Sequence, residues 1–205
     1  MRAAGMLRIW RARGPWHRCR MSEPLKPPPD AASLHEAALT HLARYATTRA
    51  GLLRVLERRI LRWVHAGGDA ETAAAAQAVA RAVVDRLAAS GVLDDAAFAE
   101  SRARSLTRAG RSRRAVTMHL RARGVAEDLT ANALPDDPEA EFAAALAYAR
   151  RRRIGPFRTV EKDAAARLKE LAAMARAGFA QDLARRALAT DAATALELIQ
   201  RLRQG

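Results

Sequence analysis

Cysteine is nearly absent from this 205-residue chain, where Cys19 stands alone. No internal disulfide is possible, which fits a reducing cytosol. Aromatic residues make up 4%, so the core must be aliphatic, and the poverty of rings argues against a platform that stacks successive bases. β-Branched residues are sparse, and no run of four or more alternates like a strand. No apolar run approaches the roughly 18 residues of a membrane span, so no membrane partner is expected. Also missing are a Walker loop, a G-x-G-x-x-G turn and a G-x-S-x-G elbow. His17, His35, His41, His65 and His119 are scattered and form no H-x-x-x-H or H-E-x-x-H pair. These residues require no catalysis, no cofactor and no metal.

What is present is Ala, Leu and Arg, all strong helix formers, and the expected class is all-α. The formal net charge is +14, from 36 basic and 22 acidic residues. A base composition that favours Arg codons accounts for Arg over Lys, but not for the excess over Asp and Glu. The surplus suits a polyanionic partner. The first twenty residues hold six Arg and no acid; they lack the apolar stretch of a secretion signal, and Met21 reads as an alternative start. The +14 less these six leaves +8, so the basic character belongs to the body of the chain.

"PLKPPPD" (24–30) is extended and Pro-rich. Residues 1–30 are therefore expected to be a disordered, dispensable tail. Asp30 or Ser33 caps a first helix carrying Leu34, Ala38, Leu39 and Leu42. Leu52 to His65 forms a second, stopped by Gly67-Gly68, and Glu71 to Ala89 a third. Gly91 closes that helix and Asp94 caps the next, which carries Phe98 and Leu106. Ser112 opens a helix with Val116 and Leu120 inward, stopped by Gly124. A short helix follows from about Ala126 to Leu134. After "PDDP", helices are expected over Glu139–Arg153, Val160–Ala177 and Ala180–Ala189, with a terminal one over Asp191–Leu202.

The chain repeats itself within this pattern. "LRARGVAEDLTANAL" (120–134) returns as "MARAGFAQDLARRAL" (174–188). In each, a helix ends at a Gly (Gly124, Gly178) in left-handed conformation. An apolar residue (Val125, Phe179) then packs back, and D-L-x-x-x-A-L builds a short amphipathic helix. The matched breaks define three tandem three-helix units: 31–90, 91–135, and 136–205 with a C-terminal extension.

At "GVLDDAAFA", then "GRSRRAVTMHLRARGV", and finally "RRRRIGPFR" with its closing repeat, the chain resembles the RecX family, regulators of the RecA recombinase. The resemblance spans about Leu34 to Leu188. Gly51 and His119 stand where that family often has Glu. It implies an elongated, curved array of three three-helix repeats, acting as a cytoplasmic monomer in recombination, DNA repair and the SOS response. Such proteins lodge in the groove of the RecA–DNA filament. They restrain its growth, ATP hydrolysis and strand exchange, and are modulators rather than enzymes.

Asp94 and Asp95 read as an N-cap and a favourable first-turn charge, not an acid/base pair. Two Arg clusters are candidates for partner or phosphate contact, because guanidinium forks bind carboxylate and phosphate bidentately. The first is Arg102, Arg104, Arg108, Arg111, Arg113, Arg114, Arg121 and Arg123. The second is Arg150, Arg151, Arg152 and Arg153 with Arg158. Four consecutive Arg span all sides of a helix, so some of the second group must point inward or along a neighbour. Arg113 borders the stripe of Val116 and Leu120, whereas Arg114 is rotated about 200° from Val116 and should face solvent. The competing class is a direct DNA-binding regulator whose Arg clusters rest on phosphates, although no helix offers the mix of residues that reads base edges.

Overall fold

Most of the helices begin where a side chain can take the first free amides. Asp30, Thr48, Asp69, Asp94, Ser112, Asp137 and Asp163 each accept a backbone N–H from the turn they open. Asp30 is the first cap and Ser33 reciprocates, closing a capping box. The structure, a computed structural model, describes residues 26–159 and 163–204. His17, Cys19 and the basic segment around them lie outside those residues. The elements are α1 (Ala31–Leu42), α2 (Arg49–His65), α3 (Ala70–Ala89), α4 (Asp95–Arg108), α5 (Arg113–Arg123) and α6 (Glu127–Ala133). They continue with α7 (Pro138–Arg152), a 3-10 turn (Gly155–Phe157), α8 (Ala164–Arg176), α9 (Gln181–Ala189) and α10 (Ala192–Gln204). Among the described residues there is no strand.

Two helix starts differ from the sequence expectation by three residues or more. α2 starts at Arg49 rather than near Leu52, because the Thr48 hydroxyl accepts from Gly51 N–H at 2.9 Å. α8 starts after its cap Asp163, whose carboxylate accepts from Ala166 N–H at 2.7 Å; Val160 itself lies outside the described residues. Trp63 carries a contact that periodicity did not show. It is buried on α2, and its Nε1–H donates to the Lys26 carbonyl at 2.8 Å. The last residues of the Pro-rich segment are thereby tied to the first unit.

The buried side chains fall into three clusters. Leu34, Leu52, Leu56, Ile60, Val83 and Leu87 centre the first, between α1, α2 and α3. Ala99, Ala103, Val116, Leu120 and Val125 form the second, between α4 and α5. Leu146, Met174, Phe179, Ala184 and Ile199 centre the third, among α7, α8, α9 and α10. Phe98 and Leu106, expected as the inward residues of α4, are only partly buried, while Ala99 and Ala103 are fully so. Small residues let α4 lie close to α5, α6 and α7.

The echoed segments fold alike. Gly124 N–H donates to Arg121 O at 2.9 Å and Val125 N–H to Leu120 O at 3.1 Å. Gly178 N–H donates to Ala175 O at 2.9 Å and Phe179 N–H to Met174 O at 3.2 Å. This is the paired closure of a Schellman motif, with φ of 82° at Gly124 and 91° at Gly178. Both positions also need glycine for space. A Cβ on Gly124 would sit 2.4 Å from Ala50 Cβ, and one on Gly178 2.6 Å from Ser112 Oγ.

Those approaches mark how the units join. The C-terminus of α5 meets the N-terminus of α2, and the C-terminus of α8 meets the N-terminus of α5. At the first junction the Thr48 hydroxyl donates to Arg123 O at 2.7 Å, and Arg49 N–H donates to the Asp95 carboxylate at 2.9 Å. At the second, the Ser112 hydroxyl donates to Ala177 O at 2.6 Å, and Arg113 N–H donates to the Glu141 carboxylate at 2.8 Å. Each junction thus pairs one hydroxyl with one carboxylate.

Candidate partner-binding surface

The fold distributes the Arg clusters over several surfaces. Arg102 and Arg123 line a groove of about 670 Å³ between the α1–α2 connection, α4 and the end of α5. Arg111 follows Gly110 nearby and is exposed. Arg113, Arg114 and Arg121 line a second groove of about 660 Å³ along α5 and α6, whose wall also includes Gly178 and Ala180. Arg104 and Arg108 line a cleft among α4, α6, α7 and α10. Arg150, Arg151, Arg152 and Arg153 are all exposed at the end of α7. None points inward. Arg153 leaves the helix in left-handed conformation, with φ of 54°, and Arg151 runs along a neighbour to reach the Ala109 carbonyl.

Several of these cations are engaged within the molecule. Arg113 donates to Leu134 O at 3.1 and 3.3 Å and to Asp136 at 3.4 Å. Arg121 pairs with Glu127, and Arg104 with Glu100. Arg151 also lies over the Tyr148 ring at 5.5 Å. Arg158 forms a 2.9 Å ion pair with Glu170, which is 3% exposed and also accepts from Gly155 N–H. That arginine holds the 3-10 turn to α8. The side chains of Arg108, Arg111, Arg114, Arg150, Arg152 and Arg153 make no hydrogen bond or ion pair with a described residue.

The two acids read as a cap and a first-turn charge divide their work accordingly. Asp94 accepts from Ala97 N–H at 2.9 Å, and Asp95 serves the first junction. Sequence reasoning missed His119, which accepts from Arg102 Nε–H at 3.1 Å. Burial pushes its pKa below the ordinary histidine value, and the charges of Arg102, Arg123 and Arg111 add to that. Glu141 is shifted the other way. Burial raises its carboxyl above the usual range, against the pull of the Arg113 N–H and charge.

Among the described residues, no three His, Cys, Asp or Glu are placed to hold a metal ion. No described helix is long and apolar enough to cross a membrane. Tandem three-helix units with Arg-lined grooves define an all-helical scaffold with basic clefts. The family model for the second three-helix domain of RecX matches residues 94–134. The regulatory protein RecX of Myxococcus xanthus is 39% identical over 168 residues, covering 78% of this chain and 86% of that one. RecX of Agrobacterium fabrum is 36% identical over 107 residues, covering 52% and 57%. The crystal structure of RecX from Lactobacillus salivarius superposes with a TM-score of 0.53 at 13% identity, covering 85% of this chain and 97% of that one, and so shares the fold. The chain belongs to the RecX family of regulatory proteins, which are not enzymes.

Proposed function

We propose that the protein modulates the RecA recombinase by lying along the RecA–DNA filament, where it restrains growth, ATP hydrolysis and strand exchange. The supporting observation is a set of exposed arginines, Arg114 on α5 and Arg150, Arg152 and Arg153 at the end of α7, with no partner among the described residues. Among the described residues their forks are idle, and they fit acidic protein surface and DNA phosphate. Arg158, Arg113 and Arg121 are already paired, so they contribute less to that surface.

The test is binding to a preformed RecA–DNA filament and to naked DNA at physiological salt. Tight filament binding with weak, steeply salt-dependent DNA binding is expected; equal affinity for both would favour a direct DNA-binding regulator. Arg114→Glu should weaken filament binding more than Arg58→Glu, a change of equal charge on α2. A desolvated charge-assisted contact is worth about 1.5–3 kcal/mol, and one at a wet rim much less. Equal weakening by both variants would reduce the effect to net charge.

A further inference from the structure

The groove between the first two units holds more than its share of a basic surface. Its walls present Tyr45, Val92, Phe98, Ser105, Arg102 and Arg123. Tyr45 is 60% exposed and Val92 52%, so an aromatic ring and an apolar lip stand open to solvent beside two guanidinium groups. One carboxylate lines the groove, that of Asp94, and it is occupied as the cap of α4. Among its described lining residues the groove therefore holds two cations against one anion.

His119 reports on them. A guanidinium has no acceptor, so the 3.1 Å contact from Arg102 Nε–H fixes His119 Nε2 as a bare lone pair. A proton on that nitrogen would set two donors against each other. The charges that act on the ring come from Arg102, Arg123 and Arg111, all positive. From the packed elements, Glu127 on α6 is paired with Arg121, Arg54 on α2 is bound to the Arg123 carbonyl, and Asp95 on α4 holds the Arg49 amide. Among the described residues, no acid offsets the three arginines at His119.

We propose that this groove binds a nucleotide phosphate, with Arg102 and Arg123 on the phosphate oxygens and the Tyr45 ring against the base, and that binding is coupled to protonation of His119. Two guanidinium forks lining one groove suit a tetrahedral, multiply charged oxyanion better than a single carboxylate. One exposed ring serves one base, which distinguishes this site from a platform for a long strand. The bound anion supplies the missing negative charge. His119 Nε2 then takes a proton from solvent, and Arg102 turns its Nε–H toward the ligand. The site stands independently of RecA, and its failure would leave the filament reading untouched.

The test is nuclear magnetic resonance titration of the His119 ring in the full chain, with inorganic phosphate, thymidine 5′-monophosphate and a short oligothymidylate as probes. The His119 midpoint should move upward with each, further with thymidine monophosphate than with phosphate. Tyr45→Ala should bring the nucleotide down to the phosphate level. Tighter binding of the oligonucleotide than of the monophosphate would assign the site to one residue of a strand, and equal binding to a free nucleotide. Arg102→Gln should weaken binding about tenfold, and Arg81→Gln, remote on α3, should leave it near the parent value. His119→Gln keeps an acceptor for Arg102. It should bind normally at about pH 7.5 and lose the roughly threefold tightening expected toward about pH 5.5. An unmoved His119 midpoint, equal losses in the Arg102 and Arg81 variants, or an intact pH dependence in His119→Gln would each overturn the proposal.

Discussion

At the scale of single residues, neighbours in sequence can have opposite fates, and Glu141 shows why. Glu139 and Glu141 both sit in the first turn of α7, yet Glu139 is exposed while Glu141 is half-buried against Arg113 N–H. Burial raises the Glu141 pKa, so the folded protein holds that proton more firmly than the unfolded chain does. Stability from this group therefore falls as pH rises from the ordinary glutamate value through the higher native one. Glu141→Gln keeps an oxygen for the Arg113 amide and removes the buried charge. It should be at least as stable as the parent at neutral pH and show a flatter acid-side profile, read by urea unfolding from about pH 4 to 8. A less stable variant with an unchanged profile would show that the ionised carboxylate is net favourable. The 3.6-residue period made the Arg113 and Arg114 difference legible, since it depends only on rotation about α5. The partners of Arg113 and Glu141 were not legible, because they lie more than twenty residues away along the chain.

At the scale of elements, caps and glycines wrote most helix ends into the sequence. Asp30, Asp94, Ser112, Gly124 and Gly178 all act where local chemistry placed them. The Ser112 hydroxyl does a second thing that local chemistry cannot show, because its acceptor is 65 residues away. A hydroxyl both accepts from the amide of its own helix and donates to the carbonyl that closes the next unit's helix. A carboxylate can only accept. Thr48 and Ser112 open α2 and α5, each facing a following unit, whereas the carboxylate of Asp163 opens α8. Ser112→Ala should lose both bonds and cost about 1–3 kcal/mol, since the Ala177 carbonyl is left without its donor. Ser112→Asp restores the cap but turns lone pairs against that carbonyl, and should be no better than Ala. Thr48→Val should behave like Ser112→Ala at the first junction. Urea midpoints for the three variants check this, and full rescue by Asp would show that the cap alone matters.

At the scale of the whole molecule, the units are unequal. Among the described residues, the first and third clusters bury 13 and 12 side chains, and the middle one buries five, four of them no larger than Val: Ala99, Ala103, Val116 and Val125. A core that small is marginal by itself. The middle unit is held by neighbours on both sides, through Thr48 and Asp95 at one junction and Ser112 and Glu141 at the other. In a tandem array, stability is a sum of unit and interface contributions, and loss spreads from the weakest member. Leu120 is fully buried at the centre of the middle cluster, and Leu183 is partly buried against the third. Leu120→Ala removes about 2–5 kcal/mol of packing. It should raise amide exchange first in α4, α5 and α6, while α2 and α3 keep their protection. Leu183→Asp should instead open α8 and α9 first and spare the first unit. Hydrogen exchange resolved by segment separates these outcomes. Uniform loss of protection in both variants would mean that the three clusters unfold as one core, and the middle unit would then be a continuation of its neighbours rather than a link between them.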